Sequence, residues 1–309
     1  MLNTKYMKAE NSHHPVVCFG ETLWDILPGV KLPGGAPMNV AYHLNKLGKN
    51  PAVISRIGCD ELGRELMQLW ESRNVNTQFF QKDKKNATGK VYAELRENNE
   101  VHYDIVKPVA WDYIQWQDEY FQLIQQASYF VFGSLATRNR QSKTTLFKCL
   151  EAAKTKVLDI NLRPPHFNKK VVEELLIKAD VLKLNLAELQ LITGWFNDYE
   201  SDEDRMRLLK EKFHLDIIIV TKGGDGAILN IGDQFYHHPG YTVEVADTVG
   251  SGDAFLAATI SKLIDGAPPG EIIDFASRLG AYIASQEGGC PQYSIDTINQ
   301  TKFLQNAIH

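Results

Sequence analysis

Positive charge is nowhere concentrated in this chain: no long run of lysine or arginine occurs in 309 residues whose formal net charge is −5. A nucleic-acid backbone needs a dense basic patch, so that class of partner is not expected. No stretch of about 18 apolar residues is present, and the N-terminus has neither the apolar core nor the cleavage site of a signal peptide. Neither membrane insertion nor secretion is expected, and the reading is a cytoplasmic protein. Cysteine is scarce. Cys18, Cys59, Cys149 and Cys290 are widely separated, with no CxxC pair and no Cys/His cluster at zinc spacing, which predicts four reduced thiols. Also missing are a GxxxxGKS/T P-loop, a GxGxxG after a strand, HExxH and GxSxG. The lost dinucleotide fingerprint counts against an oxidoreductase, and any phosphate binding must come from another device.

What is present is an ordinary globular composition, 44% hydrophobic and 23% charged, with enough apolar side chains for a large core. The first 14 residues are polar and aperiodic and read as a loose leader, leaving residues 15–309 as one α/β domain. PVVCFG (15–20) reads as a buried strand. VAYHLNKLG after Asn39 has helical spacing closed by Gly48, AVISRIG (52–58) is the next strand, and a helix follows over 61–73. Such alternation predicts a doubly wound, mostly parallel sheet flanked by helices. It resumes with apolar runs at 128–134, 156–162, 180–185 and 216–224, a charged amphipathic helix at 202–214, and helices from Gly250 to the end. Two insertions break it: an extended piece within about 25–34, and a hairpin within about 88–107 turning at Glu97, Asn98 and Asn99. Paired, they would form a small β-sheet lid. In open parallel sheets the carboxyl ends of the strands face the ligand crevice, which directs Asn161, Arg163, Asn185, Glu188 and Thr221 to one site.

The segment DTVGSGDAFLAATISKLI (247–264) carries the strongest local signal. Gly250, Ser251 and Gly252 lead straight into an apolar-periodic helix, so free backbone N–H groups gather where an anion is favoured. Asp253 falls in the first turn, beside that nest, where a carboxylate could take a proton from an attacking hydroxyl. The same residues also suit a tight turn and an aspartate that complements the helix dipole, and the local physics fits both.

DTVGSGDAF resembles the C-terminal signature of the PfkB carbohydrate kinases, usually DTxGAGDxF, with Ser251 in place of the common alanine. PGGAPMNVAYHLNKLG (33–48) resembles the N-terminal signature of the same family. GETLWDILP, RIGCDELGREL, DINLRP, NLAEL and VTKGGDGA extend the likeness along nearly the whole chain. The resemblance implies a ribokinase-like fold and an ATP- and Mg2+-dependent sugar kinase, most similar to bacterial fructokinases. Kinases of ribose, 2-keto-3-deoxygluconate or nucleosides share the skeleton, and a catalytically silent sugar binder on the same fold is the rival from another class.

Residue roles follow from the match one at a time. Asp253 is the base, with Gly250, Ser251 and Gly252 as the anion nest and Arg163 reaching the transferring phosphate. Asp25, read as the end of the first strand, accepts sugar hydroxyls, and Gly34, Gly35 and Asn39 meet the sugar. Asn185 and Glu188 match the family's NxxE element, which organises Mg2+ through water. Read alone, Asn185 is equally a helix cap. Thr221, Gly223, Gly224 and Gly226 match the nucleotide segment, although a hairpin turn accounts for the glycines as well. Asp247 and Val249 match positions that bind a monovalent cation such as K+ in family members; the rest of that site falls at 284–290, where the match is poor. Tyr92, Glu94, Tyr103 and Asp104 in the hairpin are the candidates for sugar selection, pending its register. Exposed lid edges would let two copies pair as a homodimer.

Overall fold

The structure is a computed structural model and describes residues 14–95, 101–301 and 303–305; the side chains of 93–95 and 101–103 lie outside the description. The chain opens with β1 (Val16–Phe19) and detours into a hairpin, β2 (Leu23–Leu27) and β3 (Val30–Gly34). It continues through α1 (Ala36–Lys46), β4 (Ala52–Gly58), α2 (Glu61–Ser72) and β5 (Phe80–Asp83) to a second hairpin, β6 (Gly89–Leu95) and β7 (Val101–Ile105). Next come α3 (Glu119–Gln126), β8 (Tyr129–Gly133), α4 (Arg140–Ala152), β9 (Thr155–Asp159), α5 (Lys169–Leu176), β10 (Val181–Asn185), α6 (Leu186–Thr193), α7 (Asp202–Phe213) and β11 (Ile217–Thr221). The last third holds β12 (Ala227–Ile231), β13 (Gln234–His238), β14 (Tyr241–Thr242), α8 (Ser251–Ile264), α9 (Pro269–Ala284), α10 (Ile295–Gln300) and β15 (Leu304–Gln305).

Nine strands form the main sheet in the order β13-β12-β11-β10-β9-β8-β1-β4-β5, parallel from β11 to β5 and antiparallel at β12 and β13. Its strands from β11 to β4 are buried on both faces. Val17 and Phe19 pack with α3 to α7 through Tyr120, Leu146, Val172, Leu189 and Leu209, while Val16 and Cys18 pack with α1, α8 and α9 through Tyr42, Leu256 and Ile272. This two-sided core explains why the runs read as continuous apolar stretches and not as alternation. Strand order reverses between β1 and β8, and at such a switch point the strand ends splay into a crevice.

The two insertions form a separate four-stranded sheet, β3-β2-β6-β7, in which β2 and β6 are parallel and both hairpins antiparallel. Arg138 anchors its base: the guanidinium pairs with Asp112 at 2.7 Å, donates to the Val106 carbonyl at 2.7 Å, and lies 3.8 Å from the Trp111 ring centroid.

Several details depart from the sequence reading. α1 begins at Ala36, with a proline in its first turn, so Asn39 lies inside the helix and not before it. His14 belongs to the fold: it is buried, its ring meets Phe79 edge-on, and Nδ1 lies 3.0 Å from the Asn50 carbonyl oxygen. Residues 1–13 and the turn at Glu97, Asn98 and Asn99 lie outside the described part. β5, the β12–β13 hairpin and the short β14–β15 pair escaped prediction. β5 is a polar edge segment, FQKD, and β15 is two exposed residues.

Candidate active site

Helix α8 starts at the crevice. Its N-cap, Gly250, has φ +76° and supplies no side-chain cap. A Cβ there would sit 2.4 Å from the Gly289 Cα, so the left-handed turn and the close strap at 288–290 both require glycine. Ser251 N already donates to the Thr248 carbonyl at 3.3 Å, which leaves the Gly252 and Asp253 amides as the first-turn donors.

Asp253 is 8% exposed, and its Oδ2 accepts a 2.8 Å hydrogen bond from Asn39 Nδ2. Burial first, and the Asp159 charge second, push its carboxyl up to about 6, against Lys183, Asn39 and Arg163. A carboxyl poised there is ionised at neutral pH yet basic enough to accept a proton. Asn39, expected on the sugar, is thus committed by one end to the base. Its other end, Oδ1, accepts the buried Cys290 thiol at 3.2 Å, which fixes the orientation of the amide.

Asp25 sits on β2 of the small sheet, not at the end of the first strand, because β1 stops at Phe19. Burial, opposed by Arg163 and reinforced by Asp247 and Asp253, pushes its carboxyl up to about 6. Arg163 itself is exposed, yet its charge reaches both Asp25 and Asp253, which puts all three in one field. The paired glycines have a packing reason. A Cβ on Gly34 would be 2.2 Å from Asp25 Oδ2, and one on Gly35, at φ +109°, would be 2.4 Å from the Glu21 carbonyl oxygen.

The small-sheet register sorts the remaining sugar candidates. Asp25 pairs with Val91 and Ile26 with Tyr92, and Val91 pairs with Ile105. Val91 and Ile105 are buried and share the Asp25 face; Tyr92, 37% exposed, is on the other. Tyr92 therefore does not join the site. Tyr103 pairs with Ala93 and occupies a position of Asp25's face, and Asp104 pairs with Tyr92. The side chains of Glu94 and Tyr103 are outside the described part.

Asn185 and Glu188 form a complete capping box on α6: Asn185 Oδ1 accepts Glu188 N and Glu188 Oε2 accepts Asn185 N, both at 2.8 Å. Glu188 Oε1 accepts Leu162 N at 2.7 Å, so each carboxylate oxygen already has one backbone donor. Burial holds its pKa above the ordinary value, with Lys183 pulling the other way. Among the described residues no cluster of three His, Cys, Asp or Glu side chains could enclose a metal. The donor set fits an ion that keeps its waters and leans on nucleotide oxygens, as magnesium does.

A cleft of about 180 Å³ joins two of the predicted elements: Thr221, Gly223, Gly224 and Gly226 at one end, Ser251 and Gly252 at the other. The glycines divide by role. A Cβ on Gly226 would be 1.9 Å from the His238 carbonyl oxygen, so that residue serves the β12–β13 hairpin, whereas Gly223 and Gly224 face open space. Sequence reading missed the apolar wall opposite, from Val243, Val245, Ala281 and Ala284. Asp247 accepts from Val249 N at 2.9 Å and Gly288 N at 3.2 Å, and the Ala246 and Asp247 amides donate to the Ala284 carbonyl. The 284–290 segment thus meets Asp247 despite its unusual sequence.

Two further residues escaped the sequence reading. Glu21, buried, caps α1 from outside through Ala36 N at 3.2 Å; its Oε2 has no protein partner, and burial pushes its carboxyl up to about 7. Lys183, on β10, donates to both oxygens of Asp159 at 3.1 Å. The signal for the second was available: a lysine inside a strand covered on both faces needs a buried acid.

A buried carboxylate in the first turn of a helix without a side-chain cap, next to a cleft on a doubly wound sheet, suits phosphoryl transfer to a hydroxyl. The model of the family described as pfkB family carbohydrate kinase matches residues 11–296, and the chain belongs to that family. It is a carbohydrate kinase with the ribokinase-like fold. Among curated relatives, a probable fructokinase-2 of Arabidopsis thaliana is 29% identical, over 91% of this chain and 93% of that protein. A fructokinase-2 of Solanum lycopersicum is 29% identical over 89% and 92%. Among solved structures, a Vibrio cholerae O395 fructokinase double mutant with fructose, ADP and potassium ion aligns with a TM-score of 0.81 at 24% identity, covering 94% of this chain and 98% of that one. A Xylella fastidiosa fructokinase with bound ATP gives 0.79 at 22%, covering 93% and 94%.

Proposed function

We propose that this kinase transfers the γ-phosphoryl group of ATP to the 6-hydroxyl of D-fructose, with Asp253 as the base. The observation that carries the chemistry is the position of Asp253: buried in the first turn of α8, next to Gly252 of the cleft wall, tied to Asn39, and in one electrostatic field with Asp25 and Arg163. The fructokinase names of the relatives support the sugar.

In this reading the nucleotide enters along Thr221, Gly223 and Gly224, and its γ-phosphate ends at the Gly252 and Asp253 amides. Asp25 accepts sugar hydroxyls and Gly34 leaves room for its carboxylate. Asp253 takes the hydroxyl proton as the sugar oxygen bonds to phosphorus and ADP leaves in line. Amides fixed at a helix start stabilise the oxygens of the transferring group without reorganising. Magnesium, held through water by Glu188 and by the nucleotide, would neutralise phosphate charge. Asp247, the Val249 carbonyl and the 284–288 segment would hold a potassium ion. The small sheet closes over the sugar and keeps water out. Exposed Val30 and Tyr92 on that sheet, with its free edges, support a homodimer through it, to be checked by light scattering. Four free cysteines, three of them buried, support a reducing cytoplasmic setting.

A coupled ADP-release screen against fructose, ribose, 2-keto-3-deoxygluconate, tagatose and nucleosides tests the reading. Fructose should give the highest kcat/KM, with fructose 6-phosphate as product. A higher value for another sugar overturns the substrate, and activity on none overturns the reaction in favour of a silent binder.

A further inference from the structure

Glu21 uses one carboxyl oxygen for a task that a neutral amide could perform and leaves the other without a partner. It is 3% exposed, and its Oε1 accepts from Ala36 N at the start of α1, whose N-cap, Gly35, has no side chain to do so. Among the described residues Oε2 has no hydrogen-bond partner. Buried polar atoms are almost always paired, so an orphan of this kind marks a place that something else fills. Arg138, a cation that acts on Glu21, does not fill it. The hydrogen bonds of its guanidinium go to Asp112 and to the Ile105 and Val106 carbonyls.

The orphan lies where the strand ends meet the crevice. β1 is one of the two strands between which the sheet order reverses; it ends at Phe19, and Glu21 follows shortly after, at the carboxyl end where ligands bind. A Cβ on Gly20 would lie 2.8 Å from Pro37 Cγ and 3.8 Å from Ala136 Cβ, so this stretch is wedged between the start of α1 and the segment after β8, across the switch point. One short segment, 34–39, gathers three acids. Gly34 leaves room for the Asp25 carboxylate, Gly35 and Ala36 meet the Glu21 carbonyl and carboxyl, and Asn39 holds Asp253. Burial first, with the charge of Asp253 adding to it and backbone hydrogen bonds opposing it, pushes the Glu21 carboxyl up to about 7. Asp253 is therefore within electrostatic reach. Asp25 and Asp253 have tasks in the proposed reaction, whereas the third acid on the same segment has none.

We propose that Glu21 is a specificity-determining residue of the sugar site: its Oε2 accepts a hydrogen bond from a sugar hydroxyl other than the one phosphorylated. The inference rests on reading segment 34–39 as the sugar side and fructose as the substrate. No proton moves in this contact; the hydroxyl that Glu21 holds keeps its hydrogen, and Asp253 alone takes the one that leaves. A ligand lacking that hydroxyl leaves Oε2 buried and unpaired, which is how a site rejects an analogue by what it cannot satisfy.

The test changes protein and ligand together. Wild type and Glu21→Leu are assayed by coupled ADP release at about pH 8, above the Glu21 value of about 7, so that the acid is mainly ionised. The sugars are fructose, 1-deoxyfructose, 3-deoxyfructose, 4-deoxyfructose and 2,5-anhydromannitol, each of the last four lacking a single hydroxyl. Wild type should lose roughly 10- to 100-fold in kcat/KM on one of them relative to fructose, the worth of a hydrogen bond to a charged group, and Glu21→Leu should lose no more than about threefold on that sugar while keeping the other wild-type ratios. A mere helix cap, or a carboxyl paired with a buried water, predicts lower activity on every sugar with all ratios kept, and that result overturns the proposal. Should Glu21→Leu fail to fold, Glu21→Gln decides: its amide oxygen keeps the Ala36 bond, and its nitrogen, a donor only, cannot accept from the hydroxyl. The loss on the same sugar should then shrink at least about threefold, and an unchanged loss overturns the proposal. Wild type that turns over no fructose sinks the substrate reading and this inference together. Ratios kept in the variants while wild type turns over fructose sink this inference alone.

Discussion

Replacing Asn39 with alanine removes the amide that donates to Asp253 Oδ2 at 2.8 Å. A hydrogen bond to a charged group contributes about 1.5–3 kcal/mol, and one pKa unit corresponds to about 1.4 kcal/mol. The Asp253 carboxyl, already pushed up to about 6 by burial and by Asp159, should therefore rise by about one to two units. A general base works only when ionised, so the acid limb of the kcat/KM profile, which reports the free enzyme, should move from near 6 to between about 7 and 8. The assay is coupled ADP release at subsaturating ATP and sugar across about pH 5 to 9. Any lost sugar contact alters KM and the height of the profile; the position of the limb reports the carboxyl. A limb that stays in place, or moves to lower pH, refutes the reasoning.

Other outcomes follow from the same geometry. Glu21 has its folded pKa raised from 4.5 to about 7 by burial, so its favourable contribution is complete below the unfolded value and is lost as pH rises through about 7. Glu21→Gln should gain on wild type in urea unfolding between pH 5 and pH 8, by up to about 3 kcal/mol; a constant gap contradicts the buried acid. Gly250→Ala must take φ +76° and meet the Gly289 backbone, so it should cost about 2 kcal/mol or more in urea unfolding, against about 1 kcal/mol for Gly223→Ala, which meets only open space. Equal costs would refute the packing argument. Cys290→Ala removes the donor to Asn39 Oδ1 and should lower kcat roughly three- to tenfold, with recovery in Cys290→Ser, whose hydroxyl restores it. Failure of serine to outperform alanine, measured in the same assay, removes Cys290 from the chain of contacts.

Much of this architecture is legible in the sequence, and the parts that are not share a cause. β4 spans Ala52–Gly58 as read, and Gly48 follows the end of α1 with φ +73°. These are local signals: apolar runs, a glycine after a helix, alternation of element types. Register is not local. Asp25 reads as a strand-end residue until β2 is seen to leave the main sheet, and Tyr92 faces away from Asp25 only because β2 and β6 pair as they do. Lys183 and Asp159 lie 24 residues apart on adjacent strands, and Asn39 and Asp253 lie 214 apart on different helices. Residue type gives each of these a role in principle; the partner that decides it is supplied by the fold. Gly34 and Gly226 make the same point, since one is fixed by the Asp25 carboxylate and the other by the His238 backbone.

The base assignment is tested most directly by the turnover of Asp253→Ala at saturating ATP and fructose, beside its fold and its ligand affinities. General-base catalysis contributes roughly 10²- to 10⁴-fold, so kcat should fall by that amount with nucleotide binding and thermal stability close to wild type. A variant that turns over at the wild-type rate would mean that the hydroxyl proton leaves by another route and that the buried carboxylate at the start of α8 is only a helix-capping charge.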